Sequence, residues 1–185
     1  MTAAERREGI VYLAALAACI PIANWMIGHV GTTCVPDGPC LIPVAPGLTA
    51  PSGVLMVGLA LVLRDLVQRR LGKAWSLVAI AAGAALSAWL APPSLVLASG
   101  TAFLLSELVD FAVYTPLQRR RLVLAVLASG FVGLVVDSVV FLWLAFHSLE
   151  FLAGQVVGKT WMVLLSLPFI RWLRDRDRRA GIVTP

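Results

Sequence analysis

Charged residues are scarce in this chain. Asp, Glu, Lys and Arg together make up 14% of its 185 residues, whereas soluble domains carry about 25%. Hydrophobic residues make up 59% of the sequence, and its mean hydropathy is +0.89. So few polar groups cannot cover a water-soluble globule of this size, and so much hydrophobicity excludes a disordered chain. The composition indicates an integral membrane protein.

Sequence patterns of the common catalytic sites are also missing. The chain has two histidines, and it contains no zincin, nucleophile-elbow or dinucleotide-binding motif. Residues 153–160 (AGQVVGKT) match a loose phosphate-loop pattern. That loop works at a water-accessible turn between a strand and a helix, however, and these residues lie inside an apolar run. The sequence therefore predicts that the protein is not an enzyme and uses no cofactor.

Six apolar runs are long enough to cross a bilayer as helices, which takes about 20 residues each. The first run is longer than the core of a signal peptide and lacks a small-x-small cleavage site, so we interpret it as a span. Runs that are apolar on all faces are typical of spanning helices rather than strands. We predict an all-α membrane protein with one domain, residues 1–185. Its spans are residues 9–27, 51–67, 75–90, 94–114, 122–146 and 150–173, and residues 174–185 form a charged tail.

Basic residues mark alternate ends of these spans. All Lys and Arg residues except Lys159 lie near the N-terminus, at the second-to-third and fourth-to-fifth connections, or near the C-terminal end. The positive-inside rule therefore places both termini in the cytoplasm and the protein in the cytoplasmic (inner) membrane. This retention signal explains the net charge of +5, so the sequence calls for no nucleic-acid partner.

The chain has three cysteines, too few for a disulfide-dense secreted domain. Cys19 falls in the first span, whereas Cys34 and Cys40 flank a turn rich in Pro and Gly in the first outer connection. That compartment permits disulfides, so a bridge between these two and a pair of free thiols are both open. Two thiols with only His29 nearby make a poor ligand set, so we expect no metal site.

Four charged side chains fall in the interior of the fourth, fifth and sixth predicted spans. Glu107 and Asp110 lie in the fourth span, Asp137 in the fifth and Lys159 in the sixth. Each charge at that depth costs about 2.5–3.5 kcal/mol. We therefore expect all four to face the interior of the bundle.

Helical spacing adds polar neighbours to these charges. Tyr114 falls on the stripe of Glu107 and Asp110, and Gln155 on that of Lys159. Asn24, the only asparagine, lies in the first span. We expect these groups to complete one polar site.

Three carboxylates against one lysine leave a surplus of buried negative charge. The surplus calls for protonation, a bound cation or a ligand rich in hydrogen-bond donors. A planar, guanine-like ring would present N–H groups to Glu107 and Asp110, with Gln155 and Asn24 on its remaining polar edge. A plainer alternative is a structural ion pair between Asp137 and Lys159, which leaves the other carboxylates unexplained.

Trp161 lies two residues from Lys159, in the middle of the sixth span. It could stack on a planar ligand. A buried tryptophan is more often simply packed against its neighbours. Both interpretations remain open from the sequence.

Several short segments resemble one family when taken in order. The set comprises residues 46–53 (PGLTAPSG), 63–69 (LRDLVQR), 106–110 (SELVD), 113–114 (VY), 137–138 (DS) with Phe141, and 155–159 (QVVGK). Their order and spacing resemble the VUT family of queuosine-precursor transporters, over about residues 11–170. These six-helix proteins are similar in topology to the substrate-binding subunits of energy-coupling-factor vitamin importers.

The resemblance implies an importer of 7-deazaguanines, such as 7-cyano-7-deazaguanine and its aminomethyl relative. The substrate would be a small, planar, nucleobase-like molecule held within the lipid bilayer. The first outer connection departs from the family pattern at Cys34 and Cys40. The residues that the resemblance implies for the site are Glu107, Asp110, Asp137, Gln155 and Lys159, with Asn24 a weaker candidate.

Other functions remain open from the sequence. One is a substrate-capture subunit of an energy-coupling-factor-type vitamin or nucleobase importer, which needs a separate ATPase module. Another is a membrane scaffold that transports nothing. A second copy of the chain and a coupling module both remain open as protein partners. The driving force, by proton coupling or by facilitated diffusion, is equally open.

Overall fold

The computed structural model describes residues 2–36 and 38–181, without the side chain of Ser94. Asp37, in the turn between the two outer cysteines, and residues 182–185, the end of the predicted tail, lie outside this part. Six α-helices and one 3-10 helix, Pro93–Leu95, form within it. The α-helices are α1 (Ala3–His29), α2 (Val54–Leu71), α3 (Lys73–Leu90), α4 (Val96–Leu117), α5 (Leu122–Phe146) and α6 (Leu152–Arg179).

Each predicted span corresponds to one helix, but α1 and α6 continue beyond the apolar runs. A capping box starts α1, in which Thr2 accepts from the Glu5 backbone and Glu5 accepts from the Thr2 backbone. These bonds satisfy amide groups that a helix start leaves open, so the helix extends into the charged segment. Likewise, α6 runs through the charged residues that the sequence analysis assigned to a tail.

Five of the described helices are long and apolar enough to cross a membrane: α1, α3, α4, α5 and α6. In α2, Arg64, Asp65, Arg69 and Arg70 lower the hydropathy of the second half. Every side chain from residue 60 to residue 70 is nevertheless buried, because α2 packs against all five other helices. The fold is a multi-pass helical membrane protein with a helix of four charged residues, α2, at its centre.

The connection between α1 and α2 forms a small antiparallel sheet rather than a plain loop. Its strands, in spatial order, are β1 (Thr33–Cys34), β2 (Cys40–Ala45) and β3 (Leu48–Pro51). Cys34 and Cys40 are register partners and form a disulfide, which decides the question that the sequence left open. Gly47 turns β2 into β3 with φ of +73°, a conformation that favours glycine. We call this end of the bundle the sheet end.

The sheet is fastened to α1 and α6. Trp161 of α6 donates from Nε1 to the Val44 carbonyl over 2.9 Å, and Ser52 donates from Oγ to the Met26 carbonyl of α1 over 2.7 Å. Gly154 of α6 lies directly against the backbone of Thr49, where a larger side chain would overlap it. The sheet therefore covers the bundle as a fixed layer.

An ion-pair network joins α1, α2 and α6 at the opposite end, which we call the tail end. Asp177 of α6 is buried and binds Arg69 Nη2 (2.7 Å) and Arg70 Nη2 (2.8 Å) of α2. Glu8 of α1 binds Arg70 Nε (2.8 Å) and Arg176 Nη2 (2.7 Å). The charged segment is thus part of the packed structure, because its carboxylates and guanidinium groups neutralise each other.

Candidate functional site

A cavity lies in the half of the bundle nearer the sheet, with walls from all six helices. It holds about 870 Å³ of space between protein atoms, including the part open to solvent. It extends from Pro51 and Pro92 at the sheet end to Glu107 and Lys159 in the middle. Its walls are mainly apolar with a few polar groups, which is typical of small-molecule sites. The predicted residues that line it are Asn24, Glu107, Asp137, Gln155 and Lys159.

Lys159 is held by three acceptors at the bottom of this cavity. Its Nζ donates to Asp137 Oδ2 (2.6 Å), Gln155 Oε1 (2.6 Å) and Ser138 Oγ (2.8 Å). An ammonium group has three N–H donors, so protein groups use all of them. Lys159 therefore fixes the positions of Asp137 and Gln155 and has no donor left for a ligand.

The free polar atoms of the cavity belong to the neighbours of Lys159. The Gln155 amide keeps its Nε2 donor, because its Oε1 accepts from Lys159. Asn24 donates from Nδ2 to the Ile20 carbonyl over 2.9 Å, which leaves its Oδ1 as an acceptor. The side chain of Asp137 is 11% exposed, more than that of any other charged residue in the core of the bundle. The cavity thus offers both acceptors and an amide donor.

Arg64 lies inside the bundle, where its sequence position did not indicate it. It was grouped with the basic residues of the second-to-third connection, but its side chain is 0% exposed inside the bundle. Its Nε donates to Glu107 Oε2 over 2.8 Å and its Nη2 pairs with Asp110 Oδ1. The counting went wrong because α2 continues to Leu71, so Arg64 lies about two turns inside the helix. The predicted span of residues 51–67 already included Arg64, and this was the sequence signal for its burial.

Asp65 is the second residue that the sequence analysis missed. It is fully buried, accepts from Ser129 Oγ at Oδ2 over 3.1 Å, and lies 3.0 Å from Arg64 Nη1 through Oδ1. The core therefore holds four carboxylates and two cations, rather than the expected three and one. Surplus negative charge remains, but most of it surrounds Arg64 instead of the cavity.

The expected polar groups fall into two layers, one that lines the cavity and one that lies on the tail side of it. Glu107 belongs to both, since it lines the cavity and accepts from Arg64. Asp110 and Tyr114 do not line the cavity, although they share a helical stripe with Glu107. We call the group on the tail side of Glu107 the buried layer. It comprises Arg64, Asp65, Asp110, Tyr114 and Ser129.

The structure does not bring Trp161 to the cavity. Its side chain is 49% exposed on the outside of α6 and binds the sheet through Val44. Two residues of helix turn a side chain by about 200°, so a neighbour at that distance from Lys159 points away from it. The aromatic side chains that do line the cavity are Phe103 of α4 and Phe141 of α5.

One comparison with known proteins gives a match. Residues 87–173 match the family model described as "Putative vitamin uptake transporter". The matched segment runs from the end of α3 to α6 and contains six residues of the predicted polar site: Glu107, Asp110, Tyr114, Asp137, Gln155 and Lys159. No curated protein and no solved structure gives a significant match. Together with five helices that can cross a membrane, the match supports a membrane transporter that is similar to this family over residues 87–173.

Proposed function

We propose that this protein imports queuosine precursors, 7-deazaguanines such as 7-cyano-7-deazaguanine, across the cytoplasmic membrane. The observation that carries the proposal is the cavity, in which carboxylate and amide groups surround a space lined by aromatic and aliphatic side chains. The match to a vitamin-uptake transporter family supports transport of a small molecule. The ordered segments that resemble queuosine-precursor transporters support the substrate class.

The polar groups of the cavity suit the edge of a guanine-like ring. Such an edge carries N–H donors beside a carbonyl acceptor. A carboxylate accepts N–H bonds at both oxygens, and Glu107 lines the cavity while its Oε2 also accepts from Arg64. The Nε2 of Gln155 is free to donate to the carbonyl oxygen, while Asn24 and Asp137 offer further acceptors. An aminomethyl precursor would bring a positive charge toward Asp137.

Two aromatic side chains can hold the faces of the ring. Phe103 and Phe141 line the cavity from α4 and α5, and aromatic rings favour offset or edge contacts with a flat heterocycle. The proposed substrate-binding residues in the cavity are Asn24, Glu107, Asp137 and Gln155, and Lys159 holds Asp137 and Gln155 in position. Asp110 and Tyr114 lie in the buried layer and do not line the cavity.

We infer that the sheet end faces the oxidising side and the tail end faces the cytoplasm, with both termini. The disulfide between Cys34 and Cys40 lies at the sheet end, and disulfides persist in oxidising compartments. Most basic residues lie at the tail end, as the positive-inside rule requires. The cavity then lies in the half of the membrane from which an imported substrate arrives.

Purified protein in liposomes tests this function. We expect saturable uptake of radiolabelled 7-cyano-7-deazaguanine without ATP, and its loss in Glu107→Gln and Gln155→Ala, because both changes alter groups that face the ring edge. Asp175→Asn, on the exposed surface of α6, is the matched control and should transport normally. Normal uptake by both cavity variants would contradict the assignment. Uptake that requires a separate ATPase module would identify a substrate-capture subunit instead.

A further inference from the structure

We propose that Asp65 and Asp110 share one titratable proton, and that this proton couples substrate import to proton entry. The proposal rests on the transport function proposed above. It concerns the buried layer, which lies between the cavity and the tail-end network and which substrate recognition leaves unexplained.

The two carboxyl groups come from different helices and meet at shared partners. Asp65 of α2 and Asp110 of α4 lie next to each other, and both contact Arg64. Ser129 of α5 donates to Asp65 Oδ2 over 3.1 Å. Gly133 of α5 makes room for Asp110, because a Cβ at this position would lie 3.1 Å from Oδ2. Three helices therefore converge on this carboxyl pair.

The carboxyl pair keeps one buried oxygen without a partner. In the part of the chain that the structure describes, Asp110 Oδ2 is fully buried and accepts no hydrogen bond, while Asp65 Oδ1 has only its ion-pair contact of 3.0 Å with Arg64 Nη1. The hydroxyl of Tyr114, whose ring lies 5.7 Å from the Arg64 guanidinium, also lacks a partner there. A buried polar atom left unpaired costs about 1–3 kcal/mol, and more if it is charged. One proton shared by the two carboxyl groups would let one donate to the other and remove this cost.

The charge balance of the buried layer favours the same proton. Arg64 is the cation that Asp65, Glu107 and Asp110 contact, so three carboxylates face one guanidinium group. The neighbouring pair of Asp137 and Lys159 is neutral by itself. Toward the tail end, Arg69 is already paired with Asp177. Two uncompensated negative charges in a low-dielectric core are unfavourable, and one proton halves the excess.

Arg64 connects this proton to the cavity. Its Nη2 binds Asp110 and its Nε binds Glu107, which lines the cavity. When Asp110 is protonated, its hold on the guanidinium weakens and Arg64 pairs more closely with Glu107. When the proton leaves, Asp110 competes for Arg64 and releases the Glu107 carboxylate. The proton and the substrate therefore act on the same ion pair.

A proton fits this site better than a metal ion does. The guanidinium of Arg64 already occupies the position between the carboxylates, so a second cation there would be repelled. No group of three or more His, Cys, Asp and Glu side chains that could hold a metal forms within residues 2–36 and 38–181. In each transport cycle a proton arrives from the sheet-end side and forms one O–H bond on the carboxyl pair. That bond breaks toward the tail-end side, with no other atom exchanged.

Liposome transport separates coupling from substrate binding. We expect an acidic exterior to raise the initial uptake rate of 7-cyano-7-deazaguanine several-fold in the wild-type protein and in the surface control Asp175→Asn. Asp65→Asn should keep substrate exchange at equal pH but lose this stimulation. An uptake rate that does not depend on the pH gradient, or that depends on a sodium gradient instead, overturns the proposal. Absence of any uptake would contradict the proposed function instead.

Infrared spectroscopy tests the shared proton without any substrate. Wild-type protein at neutral pH should show the C=O band of a buried protonated carboxyl group, and this band should titrate. Asp65→Asn, Asp110→Asn and the milder Ser129→Ala should each remove or shift the band, whereas Asp137→Asn should leave it unchanged. A wild-type spectrum with no protonated carboxyl band from acidic to alkaline pH overturns the proposal even if the variants fail to fold.

Discussion

At the scale of single residues, the ion pair of Asp137 and Lys159 determines how a substitution at either residue changes the stability of the protein. Lys159 is fully buried and contacts one carboxylate, one amide oxygen and one hydroxyl. Removing one member of a buried ion pair leaves the other charge uncompensated, at a cost of about 3–5 kcal/mol. Removing both charges avoids that cost. The two effects can therefore be separated by experiment.

We predict that Lys159→Met lowers the unfolding temperature of the detergent-purified protein and that adding Asp137→Asn restores part of the loss. The reason is that the second change removes the stranded carboxylate. Thermal unfolding of the wild type, both single variants and the double variant forms a double-mutant cycle. A double variant no more stable than Lys159→Met would show that the two charges do not compensate each other.

The sequence could predict part of the site at this scale. The depth of Glu107, Asp110, Asp137 and Lys159 in apolar runs was enough to expect burial, because charges at that depth do not face lipid. Their division into two layers was not predictable, since a helical stripe fixes direction but not the depth at which a cavity ends. Helical spacing already turns Trp161 about 200° away from Lys159, but its contact with Val44 depends on a sheet that the sequence did not show.

At the scale of elements, α2 explains how so many charges are held in the core. It is surrounded by the other helices, so its charged half meets protein partners rather than lipid. Its close approach to α6 depends on Gly58. A Cβ on Gly58 would lie 2.7 Å from the Lys159 carbonyl oxygen and 2.9 Å from its Cα. Both are backbone atoms, so α6 would have to move.

We predict that Gly58→Ala reduces uptake strongly and lowers the unfolding temperature, because it displaces the segment of α6 that carries Lys159. Gly28→Ala is the matched control, since a Cβ there meets nothing within 4 Å. Uptake in liposomes and thermal unfolding measure the two effects. Wild-type behaviour of Gly58→Ala would mean that the two helices are not in fixed contact.

Hydropathy predicted the number of helices but not their arrangement. Each apolar run became a helix, since a run of that length satisfies its backbone internally. The central position of α2 was hidden because its first half is as apolar as the other spans. The sheet was missed because its strands are short and contain Pro43 and Pro51, which are unusual in strands.

At the scale of the whole molecule, the disulfide and the basic residues favour the proposed orientation through two independent kinds of chemistry. Cys34 is exposed, whereas Cys40 and Cys19 are buried. Replacing Cys40 alone therefore leaves one accessible thiol at the sheet end. That thiol reports which side of the membrane the sheet occupies.

We predict that a membrane-impermeant maleimide labels Cys40→Ser in intact spheroplasts and does not label the wild type, whose accessible cysteine is bound in the disulfide. The control Asp175→Cys, at the tail end, should react only after the membrane is permeabilised. Labelling of Cys40→Ser only after permeabilisation would place the sheet in the cytoplasm and reverse the proposed orientation.

The burial of Asp177 has a practical consequence for anyone who handles this protein. Its carboxylate joins the last turns of α6 to Arg69 and Arg70 of α2, so a truncation at the end of the apolar run would remove the carboxylate that these two guanidinium groups share. Purification tags should follow Arg179 with a spacer. Poor expression of a shortened version would indicate loss of the ion pairs of Asp177 rather than loss of function.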